Sequence, residues 1–156
     1  MRLQYEKIQG LKEALDDPNS GVASIYQLNY AEKMAKIAAS LKSGKAIFTE
    51  PAMPIKCAGA PQKILYLWSD KWSQQKLPIS VEFCKTIGVM FGVPKYAQAL
   101  TRVASSYNID TTFKLPLVKI EKNEATFENA DSKEKVVKKF DLLHVVPPMG
   151  AHSYIG

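Results

Sequence analysis

Cysteine is nearly absent from this chain. Its 156 residues hold two, Cys57 and Cys84, which excludes a fold framed by disulfides. Histidine is equally scarce: His144 and His152 are the whole set. Two histidines and two distant cysteines do not make a zinc site, so no metal is expected. No apolar run approaches the ~20 residues that a bilayer-spanning helix needs. The opening stretch, Met1 to Lys7, has no apolar signal core. Neither a G-x-S-x-G elbow nor a Walker phosphate loop occurs anywhere. Also missing is G-x-G-x-x-G, the glycine pattern that lets a backbone approach a dinucleotide pyrophosphate.

What is present is ordinary for a globular domain. Hydrophobic residues make up 46% and charged residues 23%, enough to build one core. The formal net charge of +6 permits an acidic partner. The lysines are nevertheless spread along the chain. Their densest group, Lys133 to Lys139, alternates with Glu134, Val136 and Val137, as on a solvated strand face rather than a nucleic-acid patch. No nucleic-acid partner is expected.

Periodicity predicts an alternation of helices and strands. Residues 1–20 read as a connector, closed by the loop signal Asp16-Asp17-Pro18-Asn19-Ser20-Gly21. A helix is predicted from Asn29, with Glu32 completing a capping box. Tyr30, Met34, Ile37 and Leu41 form its stripe, and Gly44 stops it. Ala46 to Glu50 reads as a buried strand. Pro61 fits the first turn of a second helix with Ile64, Leu65, Trp68 and Trp72 inward. Ile79, Val81 and Phe83 mark the next strand. A third helix follows Pro94, with Tyr96, Leu100, Val103, Ala104 and Tyr107 on one face. From Thr111 onward no helical stripe remains. Extended segments around Leu115 to Ile120, Ala125 to Glu128 and Val136 to Phe140 read as an antiparallel meander, and Leu142 to Val146 as a last buried strand. The sum is an α/β domain: a Rossmann-like three-layer architecture with a parallel sheet and a β-meander insertion, as in FAD/NAD-linked disulfide-reductase-like flavoproteins.

The loop between the first strand and the second helix is Pro51-Ala52-Met53-Pro54-Ile55-Lys56-Cys57-Ala58-Gly59-Ala60. In a dinucleotide-binding domain this turn cradles the pyrophosphate. Here two prolines remove backbone donors and stiffen it. The acidic ribose clamp of the second strand is equally doubtful, because Glu82 is near the tip but Cys84-Lys85-Thr86 occupies it. In place of glycines stands Cys57, just before a helix N-terminus and beside Lys56. The helix dipole and that lysine favour a thiolate. Two readings stay open on these grounds: a reactive sulfur, or a small residue filling a turn. Cys84, next to Phe83 in a buried strand, reads as packing. His144, in an apolar strand, reads as a core or backbone-bonded histidine.

The string Lys56-Cys57-Ala58-Gly59-Ala60-Pro61-Gln62-Lys63, with Ala46-Ile47-Phe48-Thr49 before it, resembles the eukaryotic-type sulfide:quinone oxidoreductases. The stretches Phe91-Gly92-Val93-Pro94-Lys95-Tyr96-Ala97-Gln98-Ala99-Leu100 and Leu143-His144-Val145-Val146-Pro147-Pro148-Met149 agree with them, as does Tyr5 to Leu11. The resemblance implies a central, NADH-like domain of an FAD enzyme of the mitochondrial inner membrane. That enzyme oxidises sulfide, passes electrons through FAD to ubiquinone, and releases sulfane sulfur to an acceptor such as glutathione or sulfite. Cys57 matches the redox cysteine that carries the persulfide; Cys84 matches no catalytic position. The resemblance divides the chain into a connector from an FAD-binding half (1–20), the NADH-like domain (21–149) and the start of a return to the FAD domain (150–156). No FAD is expected on this stretch, and alone it is expected to be inactive. A homodimer through the surface that faces the FAD domain is a further expectation. Two other readings compete: a stand-alone α/β binding module with a basic surface, and a thiol oxidoreductase acting through Cys57 alone.

Overall fold

The computed structural model describes residues 1–152. Among the described residues, ten strands and four α-helices follow one another. They are β1 (Arg2–Leu3), α1 (Leu11–Asp16), β2 (Val22–Ala23), α2 (Leu28–Ser40), β3 (Gly44–Glu50), α3 (Ala60–Gln74), β4 (Ile79–Lys85), α4 (Pro94–Ser106), β5 (Asp110–Thr112), β6 (Leu117–Glu121), β7 (Glu124–Glu128), β8 (Lys135–Lys139), β9 (Leu142–His144) and β10 (Met149–Gly150), with a single 3-10 turn at Tyr5–Lys7. A five-stranded parallel sheet has the order β2-β9-β3-β4-β5. The antiparallel meander β6-β7-β8 and the small pair β1-β10 complete the sheets.

Side-chain alternation along β3 and β4 sorts the layers. Ala46 and Phe48 of β3, with Val81 and Phe83 of β4, share a core with Met34 and Ala38 of α2, Leu65 and Trp72 of α3 and Ala104 of α4. Ile47, Cys84 and Leu143 face the other way, into a core with Leu11 and Leu15 of α1 and with Ile120, Ala125 and Phe127 of the meander. Helices therefore cover one face of the sheet, and the meander with α1 covers the other. The three-layer α/β arrangement with a parallel sheet and a meander is as the sequence predicts.

Details depart from the expectation. Residues 1–20 do not run as an open connector, since α1 buries Leu11 and Leu15 completely or nearly so. Lys33 of α2 donates to the carbonyls of Ala14, Leu15 and Asp17 and to the Ser20 hydroxyl, closing the C-terminal end of α1. The capping box at Asn29 does not form: Gln27 is the N-cap, without a side-chain cap bond. The Gln27 side chain instead accepts from the Tyr5 hydroxyl at 2.7 Å. On α4, Tyr96 and Val103 are exposed while Ala97, Leu100, Ala104 and Tyr107 pack inward, because the proposed five-residue face is wider than the strip the sheet can cover. Residues 153–156, part of the 150–156 segment assigned to a return toward an FAD domain, lie outside the described residues. Gly44 is required where β3 begins. Its φ is +114°, and a Cβ there would meet the Asp141 carboxylate at 2.2 Å.

Glu82 fastens the meander to the sheet. It sits on the meander face of β4, 5% exposed. Lys138 of β8 lies 2.7 Å and Lys45 of β3 2.8 Å from its carboxylate. Thr112 and Cys84 also point their polar atoms at it. Burial alone would raise its carboxyl pKa; the two ammonium groups overcome that and hold it below the usual range. The stabilisation it contributes is present above the ordinary carboxylate pKa and is lost as pH falls through the lowered folded value. Glu82→Gln should cost about 2 kcal/mol, a fall of about 4–8 °C in Tm at neutral pH. The difference should shrink toward pH 3; a Tm within one degree of the parent at pH 7 would remove Glu82 as the fastening.

Candidate functional site

In an open α/β sheet, ligands gather at the carboxyl ends of the strands where the strand order reverses. Here the chain leaves β3 toward β4 and β5 on one side, while β9 lies on the other. The loop after β3, residues 51–59, stands at that point and carries Cys57.

Beneath the loop the strand ends are closed by charge. Glu50 and Lys85, the last residues of β3 and β4, are register partners. Lys85 is 0% exposed and Glu50 5%, and their charged atoms are 2.5 Å apart. The Lys85 ammonium also lies 4.7 Å above the Phe83 ring. Burial pushes the Glu50 carboxyl up and the Lys85 amine down, and the contact between them opposes both shifts. Gln62, buried in the first turn of α3, donates to the Met90 carbonyl at 2.6 Å and accepts from Tyr66 at 3.3 Å. A pyrophosphate brought to this turn would meet a carboxylate and two prolines that lack N–H donors. Nor can Glu82 serve as a ribose clamp, since its carboxylate faces the meander and is taken by Lys138 and Lys45.

Cys57 itself is exposed, two positions before Gly59, the N-cap of α3. The backbone around it is held from two remote parts of the chain. The Tyr26 hydroxyl donates to the Cys57 carbonyl at 2.9 Å, and the Lys56 N–H points at the Met149 sulfur at 3.1 Å. Ile55, Val146 and Met149 form a small core here, with Tyr26, Ala58 and Leu3 packed on it. A cavity of about 380 Å³ opens beside this cluster, lined by Thr49, Glu50, Met53, Thr86, Leu117 and Met149 among others; Cys57 is not in its wall.

The remaining candidates are structural. Cys84 is 1% exposed, and burial together with the Glu82 charge pushes its thiol far up. His144 is 0% exposed. Its Nε2 accepts from the Ile25 N–H at 3.3 Å, and desolvation pushes its pKa down to about 3, so it is neutral at pH 7. Its Nδ1 has no partner among the described residues. Sequence reasoning missed Tyr26, Glu50 and Lys85 as members of this region. The two charged residues fall at the ends of apolar strands, a signal available beforehand; Tyr26 lies far from Cys57 in sequence and carries none. Among the described residues no cluster of three or more His, Cys, Asp or Glu could hold a metal ion, and no helix is long and apolar enough to cross a membrane.

The helix-covered parallel sheet, its strand order and the meander before the last strand of that sheet give the chain a fold found in FAD/NAD-linked oxidoreductases. No family model matches it. Within that class its sequence relatives are mitochondrial sulfide:quinone oxidoreductases. It is 40% identical to the enzyme of that name from Schizosaccharomyces pombe and 40% identical to that from Mus musculus, over 97% of this chain and 34% of each relative. The sulfide:quinone oxidoreductase from Aquifex aeolicus matches in structure with a TM-score of 0.70 at 15% identity, over 94% of this chain and 34% of that one. The chain spans about a third of the length of the curated relatives it matches.

Two outcomes follow from the geometry. At neutral pH in the folded chain, iodoacetamide should label Cys57 and leave Cys84 untouched until the protein is unfolded; peptide mapping that finds Cys84 labelled first would contradict its burial. Lys85→Met should strand the Glu50 charge and cost about 3–5 kcal/mol, most of it recovered in the Glu50→Gln/Lys85→Met double variant. Strictly additive losses in denaturant titrations would show that the two residues act separately.

Proposed function

We propose that this chain is the central NADH-like domain of a mitochondrial sulfide:quinone oxidoreductase, and that Cys57 is the cysteine carrying sulfane sulfur as a persulfide. One observation carries the reading: where the fold would cradle a dinucleotide, the strand ends are sealed by Glu50–Lys85 and the loop above presents an exposed cysteine. The near-complete coverage of this chain by its relatives supports the same assignment.

In the parent enzyme Cys57 would be paired with a second cysteine other than Cys84, which is buried. Hydrosulfide attacks that disulfide. The new S–S bond leaves a persulfide on Cys57, the old bond breaks, and the partner cysteine departs as a thiolate. The incoming sulfur is oxidised by two electrons and the disulfide is reduced by two. An acceptor nucleophile such as glutathione or sulfite then takes the outer sulfur and frees the Cys57 thiolate. Re-forming the disulfide releases two electrons; bound FAD would accept such a pair and relay it to ubiquinone. The loop after β3 does not fit a flavin pyrophosphate, for the same reason that it does not fit a nicotinamide one, and no residue of this chain is assigned to hold FAD.

The domain's part is to keep Cys57 exposed on a fixed backbone. Alone, without the second cysteine, it would not turn over. Attachment to the inner membrane, and a dimer through the face toward the FAD domain, belong to the parent in the same reading. Cys57→Ser in the full-length protein should abolish sulfide-dependent quinone reduction while leaving flavin content unchanged. Turnover above about one tenth of the parent rate would overturn the assignment.

A further inference from the structure

We propose that Tyr26 is a positioning residue for the chemistry at Cys57. The proposal rests on the sulfur-carrier reading given above. Tyr26 lies between β2 and α2, in a different part of the chain from the loop it serves. Its hydroxyl donates at 2.9 Å to the carbonyl of Cys57 itself, rather than to a neighbour. The only other bond to that carbonyl among the described residues comes from the Ala60 N–H, at a long 3.4 Å. The phenol bond is therefore the short contact that fixes the Cys57–Ala58 peptide plane.

The surroundings suit that task. The Tyr26 ring packs on Ile55, Val146 and Met149, which leaves it half-buried and restricts its rotation. Burial, with the nearby Cys57 and Glu50 charges, pushes the phenol pKa well up, so the hydroxyl remains a donor across the working pH range. A donor on the carbonyl polarises the peptide unit, whose N–H, on Ala58, has no acceptor among the described residues. The cysteine sulfur is meanwhile left exposed. Tyr26 so fixes the backbone of the reacting residue without covering its sulfur, which is what near-attack geometry at a displacement centre demands.

The test uses the full-length enzyme. Tyr26→Phe removes one oxygen and keeps the ring packing. It should lower kcat for sulfide-dependent quinone reduction about tenfold, the worth of one well-placed hydrogen bond. KM for sulfide should stay at the parent value, and Tm should fall by no more than about 4 °C. An unchanged kcat would overturn the proposal, as would a loss confined to KM and Tm. Trifluorotyrosine at position 26 keeps shape and hydroxyl but has a more acidic phenol, so it covers the case in which Tyr26→Phe does not fold. It should restore turnover at low pH and lose it as pH rises through the phenol pKa. A pH profile superimposable on that of the parent would overturn the positioning role. Cys57→Ser, assayed in parallel, separates the two ideas. If it is inactive while Tyr26→Phe is fully active, only the Tyr26 role falls; if it keeps turnover, both fall.

Discussion

The buried contact between Glu50 and Lys85 is the constraint on which this site depends. It joins the ends of the two central parallel strands in register, at the place where this architecture ordinarily leaves a gap for phosphates. Two opposite charges out of water cost free energy that their attraction only partly offsets. Their presence is thus poor evidence of selection for stability alone. Their effect on the site is direct: they satisfy one another, and they place a buried carboxylate where an anion would have to settle. With the strand ends closed, the loop after β3 is free to stand above the sheet and hold a cysteine.

The second constraint acts on the other face. Glu82 points into the meander side of the sheet and takes a lysine from β3 and one from β8. A β-meander with an exposed outer strand has little apolar surface of its own with which to stay docked; Val136 and Val137 are both exposed. The ion cluster adds direction to the burial of Ile120, Ala125 and Phe127. It also explains why Glu82 cannot act as a ribose clamp: the alternation of β4 places residue 82 on the opposite face from residues 83 and 85.

Much of this fold is legible in the sequence because its signals are local. Apolar strands at Ala46 to Phe48 and at Leu142 to His144, the latter shorter than expected by two residues, the helical stripe of Leu65 and Trp72, and Pro61 in the first turn of α3 all read directly from spacing. What was not legible depends on distance along the chain. Asn29 with Glu32 satisfies a capping pattern, yet the helix begins at Leu28 and Gln27 is bound by Tyr5. Residues 1–20 look like a connector because α1 is only six residues long; its Leu11 and Leu15 find their core in the meander, far downstream. Tyr96 and Val103 share a helical stripe with buried residues but fall outside the width that the sheet covers.

The two cysteines show why the site required the structure as well as the pattern. By composition they are equivalent, and each follows a stretch that reads as a strand. Cys84 lies within its strand, on the meander face, against a carboxylate. Deprotonation there would place a second negative charge in an apolar layer, and the thiol is driven far up. Cys57 lies beyond the end of its strand, in a loop whose backbone is tied by Tyr26 and Met149 while its side chain faces solvent. In the proposed reading the sulfur meets hydrosulfide, exchanges with a partner cysteine and yields its outer sulfur to an acceptor, so it has to be approached repeatedly from outside by nucleophiles of different size. Only a position that is fixed in its backbone and open at its side chain meets that demand, and among the two thiols of this chain that position is Cys57.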